Sequence, residues 1–511
     1  MLCKTYCSFC WGVDAITVTI EVDVSQGISF FLVGLPDSAV RESQQRISTA
    51  LHTIGGRLPG KKIVINMAPA DLKKEGSSFD LAIAIGILAA SGQYNFPDLK
   101  SYIILGELAL DGTIRPVPGA LPIALHAKGE GFKYCIFPME SAFEAAEIDG
   151  IDIYGVADLR EVISILLGEG RVNPIKPNEN FDNSEQDLLV KVPDFADIKG
   201  QESAKRGLEI AAAGGHNIIM IGPPGSGKSY MAKALAGILP TMNRSESLET
   251  SKIYSVAGKG DSFKRLIRER PFRSPHHSSS LYAITGGGTF ATPGEISLAH
   301  NGVLYLDEIP EFSRSVLEVL RQPLEDREIS ISRLKYKFTY PCNFMLVASM
   351  NPCPCGYYGQ PDNRCSCSPY MVNRYLSKIS GPLLDRIDMQ IQVNPVPGER
   401  LISEEKGECS SAIRSRVAAA RTIQQRRFGG VFNINAQIGS RELKEFCRIG
   451  TKEQKLLSNV ISKLNLSARG YSRILKVART IADLDSADFI SLSHLSEAIQ
   501  YRGLDRRLTY E

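Results

Sequence analysis

The stretch HNIIMIGPPGSGKSYMAKALAGIL, residues 216–239, constrains this 511-residue chain more than any other. Residues 218–221 are an apolar run of strand length. Gly222, Pro223, Pro224, Gly225, Ser226, Gly227, Lys228 and Ser229 then spell G-x-x-x-x-G-K-S, and an apolar-periodic helix follows. Glycines let the loop turn its backbone N–H groups inward, and the helix N-terminus behind them adds partial positive charge, so the loop cradles phosphates. The pattern needs a buried strand feeding a helix, which commits this region to a doubly wound α/β sheet. Lys228 is placed for the β- and γ-phosphates of ATP, and Ser229 for Mg²⁺.

Two further strands suit such a sheet. NGVLYLDEIPEF delivers Asp307 and Glu308 at the carboxyl end of a buried strand, where ligands sit in open α/β sheets. Asp307 is expected to hold Mg²⁺ through water. Glu308, one residue on, is expected to polarise an attacking water, which makes the site hydrolytic. NFMLVASMNP ends on Asn351, a polar side chain expected beside the γ-phosphate.

The rest of the chain divides at two breaks. Residues 13–168 alternate strand-like and helix-like stretches: VDAITVTIEVDV has the period of a strand, SSFDLAIAIGILAASG reads as a helix, and YIILGELALDGTIRPVPG as two short strands around an Asp-Gly turn. A proline- and asparagine-rich segment with little periodicity follows. The second break is QVNPVPGER, after which the spacing is helical. The expected organisation is an N-terminal α/β domain at 1–168, a linker at 169–194, an α/β core at 195–396 and a C-terminal helical domain at 397–511. A net charge of +3 excludes a strongly basic or acidic protein and leaves local basic stripes open. The longest apolar run, Leu81 to Ala90, is half the length of a membrane span, so a cytoplasmic chain with no membrane partner is expected.

Eleven cysteines, an odd count, argue against complete pairing. Cys353, Cys355, Cys365 and Cys367 form C-x-C-x9-C-x-C after Asn351, and four thiolates on one loop could hold a structural Zn²⁺. Cys3, Cys7 and Cys10 are read as unpaired thiols. Three basic stretches could meet phosphates. KRLIRERPFRSPHH carries Lys264, Arg265, Arg268, Arg270 and Arg273, followed by His276 and His277. DREISISRLKYKF alternates like a hairpin bearing Arg327, Arg333, Lys335 and Lys337, with Tyr336 among them. AIRSRVAAARTIQQRRF carries five arginines at helical spacing.

GPPGSGKS, GVLYLDEIPEF, RPFRSPHHSSS, GGGTFATPGEISLAHNG, NPCPCGYYG and GPLLDRIDM together resemble the ComM/YifB family, AAA+ ATPases related to the ATPase subunit of magnesium chelatase. The similarity runs over about residues 12–505. It implies a homo-hexameric, ATP-driven motor that binds single-stranded or branched DNA, of the helicase or branch-migration type. It also implies that Arg386 in LLDRID is an arginine finger inserted into a neighbour's site, and that Arg469, with Arg473 one turn on, is the sensor-2 arginine contacting nucleotide. APADLKKEGSSFDLAIAIG with GELALDGTIRPVPGALPIA resembles the Lon-protease-like fold, with Ser78 at the nucleophile position. Leu121 beside Pro122 stands where Lon has its lysine, so no peptidase activity is expected. The competing readings are a magnesium-chelatase-like ATPase driving metal insertion and an ATP-switched regulatory or chaperone-like ATPase.

Overall fold

A computed structural model describes the chain except for residues 75, 177–191, 260–265, 289–290, 333–336, 361–363, 399–406, 430–432, 465 and 503–511. Most of the linker read at 169–194 therefore lies outside the described residues, as do Lys264, Arg265, Arg333, Lys335 and Tyr336.

The first sheet has seven strands: β1 (Leu2–Trp11), β2 (Asp14–Ser25), β3 (Ser29–Val33), β4 (Lys62–Ala68), β5 (Tyr102–Ile104), β6 (Tyr134–Pro138) and β7 (Asp152–Val156), in the order β3-β4-β2-β1-β5-β6-β7. β1 and β2 pair antiparallel, as do β2 and β4, and the other neighbours run parallel. In β2, Val18, Ile20, Val22 and Val24 are buried and alternate with Thr19, Glu21 and Asp23, as the sequence period requires. Helix α1 (Asp80–Ala90) is buried nearly all round, and Gly86 lets it approach β2: a Cβ there would lie 2.7 Å from Val22 Cγ2. YIILGELALDGTIRPVPG makes three strands where two were expected. Tyr102–Ile104 joins the large sheet, and the Asp111–Gly112 turn instead joins a separate ribbon, Glu107–Leu108 with Ile114–Arg115.

The second sheet is wholly parallel: β8 (Ile218–Ile221), β9 (Phe272–Arg273), β10 (Val303–Leu306), β11 (Met345–Met350) and β12 (Met389–Gln392), in the order β9-β10-β11-β8-β12. Helix α2 (Glu202–Gly214) precedes β8 and α3 (Lys228–Ile238) follows it. The strand ending at Asn351 thus lies between the phosphate-loop strand and the carboxylate strand. Beyond it come α4 (Ser410–Arg427), α5 (Ala468–Leu484) and α6 (Leu492–Gln500). One continuous core joins Ile218, Met220, Leu208 and Leu235 to Val417, Ile474, Val477 and Leu495. The C-terminal helices therefore share a core with one face of the sheet. The first α/β unit packs on the core through the buried Ser255 hydroxyl, which donates to Glu144 (2.6 Å), and through Trp11, edge-on to Phe338 at 4.9 Å. Among the described residues, no helix is long and apolar enough to cross a membrane.

Candidate functional site

The carboxyl edge of the parallel sheet gathers the residues of the three motif strands. Where β8 ends, the Gly222 N–H donates to Met350 O (3.2 Å), and a Cβ at Gly222 would stand 2.2 Å from Val393 O. Only glycine fits between these two strand ends. Gly225 and Gly227 have φ of +74° and +88°, the left-handed turn that faces N–H groups inward. Lys228 is buried under this loop, and its ammonium donates to Gly222 O and Pro223 O (both 2.8 Å) and to Asn351 Oδ1 (3.2 Å). Burial lowers its pKa, opposed by the negative charges of Asp307 and Glu308. Lysine and asparagine, 123 residues apart, are thus adjacent.

Ser229 donates its hydroxyl to Asp307 Oδ2 at 2.9 Å. A hydroxyl and a carboxylate so paired at the start of the loop helix are the donor set a Mg²⁺ on a nucleotide needs, so the residues fit that ion. Burial alone would raise the Asp307 carboxyl, but hydrogen bonds from Ser349, Tyr305 and Ser229 outweigh it and hold the pKa down. Glu308 has φ +50°, rare for a residue with a side chain, and its N–H donates to Asp307 Oδ1 and to Ser349 Oγ. This turn leaves the Glu308 side chain exposed while Asp307 stays half-buried. One strand end thereby gives two carboxylates different surroundings.

A cavity of about 490 Å³ lies beside this loop, lined by Gly200, Gln201, Ile221, Gln392, Asn394 and Tyr501 among others. Gln201 bridges it to the loop, donating to Asn394 O (2.6 Å) and more weakly to Ser226 O (3.4 Å). Sequence reasoning missed this cavity. Its only signal was Gly200-Gln201 just before a helix, too short to read alone.

The opposite, amino edge of the sheet carries the arginines. Asn217, just before β8, accepts from Leu346 N (2.9 Å), donates to Arg386 O (3.1 Å), and its N–H donates to Asp388 Oδ2 (2.9 Å). Arg386 is 6% exposed. Its guanidinium donates to Pro382 O and pairs with Glu325 (both 2.7 Å), and its Nε has no partner. Arg469, more than half exposed, pairs with the same Glu325 oxygen at 3.3 Å. Arg473 is committed elsewhere, in an ion pair with Asp388. Burial alone would raise Asp388, but Arg473 and His216 hold it well below the usual carboxylate range. β8 separates this edge from Lys228 by four residues, about 13 Å. Arg469 and Arg473 are therefore not gathered with Lys228 in their own chain, a departure from a lid that closes over its own nucleotide. Sequence reasoning also missed Glu325, which sits in no motif.

The basic stretches are largely turned inward. Arg270 donates to Pro240 O and Asn301 O and pairs with Glu246, and Arg273 grips Glu295 with two bonds. Arg327 donates to Phe344 O (2.9 Å) at the foot of the hairpin Glu328–Ser332/Lys337–Pro341, while Lys337 is exposed. On α4, Arg414 and Arg421 cap the carbonyls of Gly237 and Ala212, Arg416 pairs with Glu209 and Glu408, and Arg427 with Asp483. Arg416 and Arg426 are the exposed two of the five. Four of the five α4 arginines fasten helices together, because burying a guanidinium requires partners, which leaves less of the helix turned to a phosphate than its arginine count implies. His276 and His277 lie with ring centres 4.1 Å apart, their planes tilted by 34°. In the first unit, Ser78 and Lys73 line one cavity of about 740 Å³ with Cys10, Trp11 and Phe338, while Lys74 is buried and bonded to its own loop. Leu121 is fully buried.

The four loop cysteines converge, all Sγ atoms lying within 4.8 Å of one another. Cys3, Cys7 and Cys10 lie along β1 as free thiols.

Residues 20–141, 194–401 and 407–502 match, in turn, the families described as "Subunit ChlI of Mg-chelatase", "Magnesium chelatase, subunit ChlI" and "Magnesium chelatase, subunit ChlI C-terminal". The chain is 44% identical over 502 residues to the uncharacterized protein YifB of Escherichia coli, covering 98% of this chain and 96% of that one. It is 44% identical over 499 residues to the competence protein ComM of Haemophilus influenzae, covering 97% and 96%. A shorter likeness, 32% over 145 residues, links it to Lon protease 2 of Bacillus subtilis, 28% of this chain and 25% of that one. With the parallel core sheet, the helical C-terminal region and near full-length identity in agreement, the chain belongs to the ComM/YifB family of magnesium-chelatase-like AAA+ ATPases.

Proposed function

We propose that this ATPase assembles as a homo-hexameric ring and uses hydrolysis to translocate on or remodel DNA. The observation that carries the ring is the split between the two edges of the sheet. The phosphate loop, Ser229, Asp307, Glu308 and Asn351 share one edge, while Arg386 and Arg469 share Glu325 at the other. An arginine at the sheet edge opposite its own loop serves a nucleotide held by a neighbouring copy.

In this reading Gly222 to Ser229 bind the phosphates and the base enters the cavity beside Gln201. Ser229 and Asp307 hold Mg²⁺, which neutralises phosphate charge when bound. Glu308 takes the proton of the attacking water, and Asn351 with Lys228 orients the γ-phosphate. Arg386 and Arg469 of the adjacent subunit offset the charge that develops on the transferring phosphoryl group. Arg473 belongs to the frame that positions them. The unit at 1–168, the linker at 169–194, the core at 195–396 and the helices at 397–511 would work as one protomer. A structural Zn²⁺ at the four-cysteine loop completes the proposed cofactor set.

For DNA, the supporting features are the exposed Lys337 at the hairpin, the adjoining rings of His276 and His277, and Tyr282, 72% exposed a few residues on. Exposed aromatic rings and cations are the groups that hold a strand by stacking and charge. The resemblance to ComM supports the same substrate. The test measures ATP turnover with and without forked or single-stranded DNA, and branch migration of a synthetic junction, with Lys228→Ala as control. Stimulation and junction movement lost in the control are expected. Turnover indifferent to DNA would turn the reading toward metal insertion or an ATP-switched regulator.

A further inference from the structure

The four-cysteine loop is built onto the nucleotide site. Cys353 follows Asn351 by two residues, and Asn351 accepts the Lys228 ammonium. Three residues after Cys353, Gly356 turns with φ +89° directly over the phosphate loop: a Cβ there would stand 2.6 Å from Pro224 Cδ. The loop between Asn351 and Cys367 therefore touches the phosphate-binding machinery at a lysine partner and at a loop proline.

Its sulfurs have the spacing of a metal centre. Cys353 to Cys355 is 3.3 Å, Cys355 to Cys365 3.6 Å and Cys353 to Cys365 3.8 Å. Four thiolates at about 2.3 Å from a tetrahedral Zn²⁺ lie about 3.8 Å apart, while a disulfide needs sulfurs near 2.05 Å. The Tyr358 N–H donates to Cys353 Sγ at 3.3 Å, the kind of bond that steadies a ligating thiolate. Cys353 is fully buried and the other three half-buried, closed enough for a structural site. Without an ion, the thiols hold one another only by weak S–H···S bonds.

We infer that Zn²⁺ bound by Cys353, Cys355, Cys365 and Cys367 clamps this loop against Pro224 and Asn351, so that metal occupancy sets the rate of ATP turnover. This rests on the nucleotide reading above. The ion would take no part in the chemistry. It would fix the backbone from which Asn351 projects and against which the phosphate loop closes, and a shift of about 1 Å in such groups costs on the order of a hundredfold in rate.

The test uses the full-length chain purified without chelator, read by zinc per chain, fluorescent-nucleotide affinity and ATP turnover. The wild-type chain should carry one zinc. Cys365→Ser with Cys367→Ser should lose it and lose at least tenfold in turnover, while circular dichroism and oligomer size stay unchanged. Gly356→Ala should keep its zinc yet lose several-fold in turnover, because the added carbon strikes Pro224; this variant keeps the test sharp if the cysteine variant misfolds. No zinc in the wild-type chain, or full turnover in a zinc-free chain, overturns the inference, as does full turnover in Gly356→Ala. Lys228→Ala run alongside separates the two readings: normal turnover there sinks the nucleotide site itself, whatever the zinc content.

Discussion

The two edges of the parallel sheet are built on opposite plans. At the carboxyl edge the buried and half-buried groups pair with one another within the site: Lys228 with Asn351, Ser229 with Asp307, Asp307 with Ser349. At the amino edge Arg386 and Arg469 converge on the single carboxylate of Glu325, and Arg386 Nε has no hydrogen-bond partner. Two cations share one anion, and the more exposed of them, Arg469, lies at the surface. The first edge is a complete receptacle for an anion, the second an incomplete counter-charge for one. Both halves back to back on one chain suit the head-to-tail ring proposed above, since heterologous contacts form a ring when the rotation between copies closes.

The largest effect should come from the counter-charge. Arg386→Ala should lower turnover by about 10³–10⁵ while nucleotide affinity, measured by fluorescence titration, stays intact. Mixing Arg386→Ala with Lys228→Ala chains should recover part of the turnover, since some interfaces then join two intact halves. No recovery would break the comparison. Next, Glu308→Gln should lose about 10²–10⁴ in turnover and still bind ATP, as the role of a proton acceptor requires. Asp388→Asn leaves the half-buried Arg473 without its anion, which costs up to about 3 kcal/mol in denaturant unfolding and spares affinity in the chains still folded. Because the folded Asp388 titrates below its unfolded value, its stabilisation is present above about pH 4 and lost as pH falls through the acid range. The acid limb of the stability profile should flatten in Asp388→Asn. The smallest change is expected of Glu325→Gln, whose carboxylate is 42% exposed: stability should move by under about 1 kcal/mol, with turnover shifting less than tenfold. A loss as large as that of Arg386→Ala would mean that Glu325 belongs to the reaction itself.

The carboxyl edge could be read from sequence because its signals are local. A four-residue apolar strand, a glycine loop and a carboxylate pair each carry their geometry with them, and the sheet only had to bring them together. The amino edge could not. Asn217, Glu325, Asp388 and Arg473 come from four distant segments and none is unusual where it stands. Arginine content misled for a related reason: composition counts charges and says nothing of their direction, and on α4 most of them turn to backbone carbonyls and carboxylates of neighbouring helices. β1 escaped notice because it buries polar residues. Thr5 is fully buried with its hydroxyl on Ala82 O, and Ser8 is buried too, so the strand lacks the apolar alternation by which β2 announces itself. The cysteines of β1 drew attention to spacing when the useful fact was the pleat.

The shared core between the sheet and α4, α5 and α6, bolted further by Arg473 on Asp388, has a mechanical meaning. A helical lid on a slender hinge would swing by itself as nucleotide comes and goes, and the stroke would be spent within one subunit. Here sheet and helices are welded into a single lever, with the phosphate loop near one end and the arginines at the other. In the ring proposed above, tightening around a nucleotide would pass through this joined body to the neighbouring subunit.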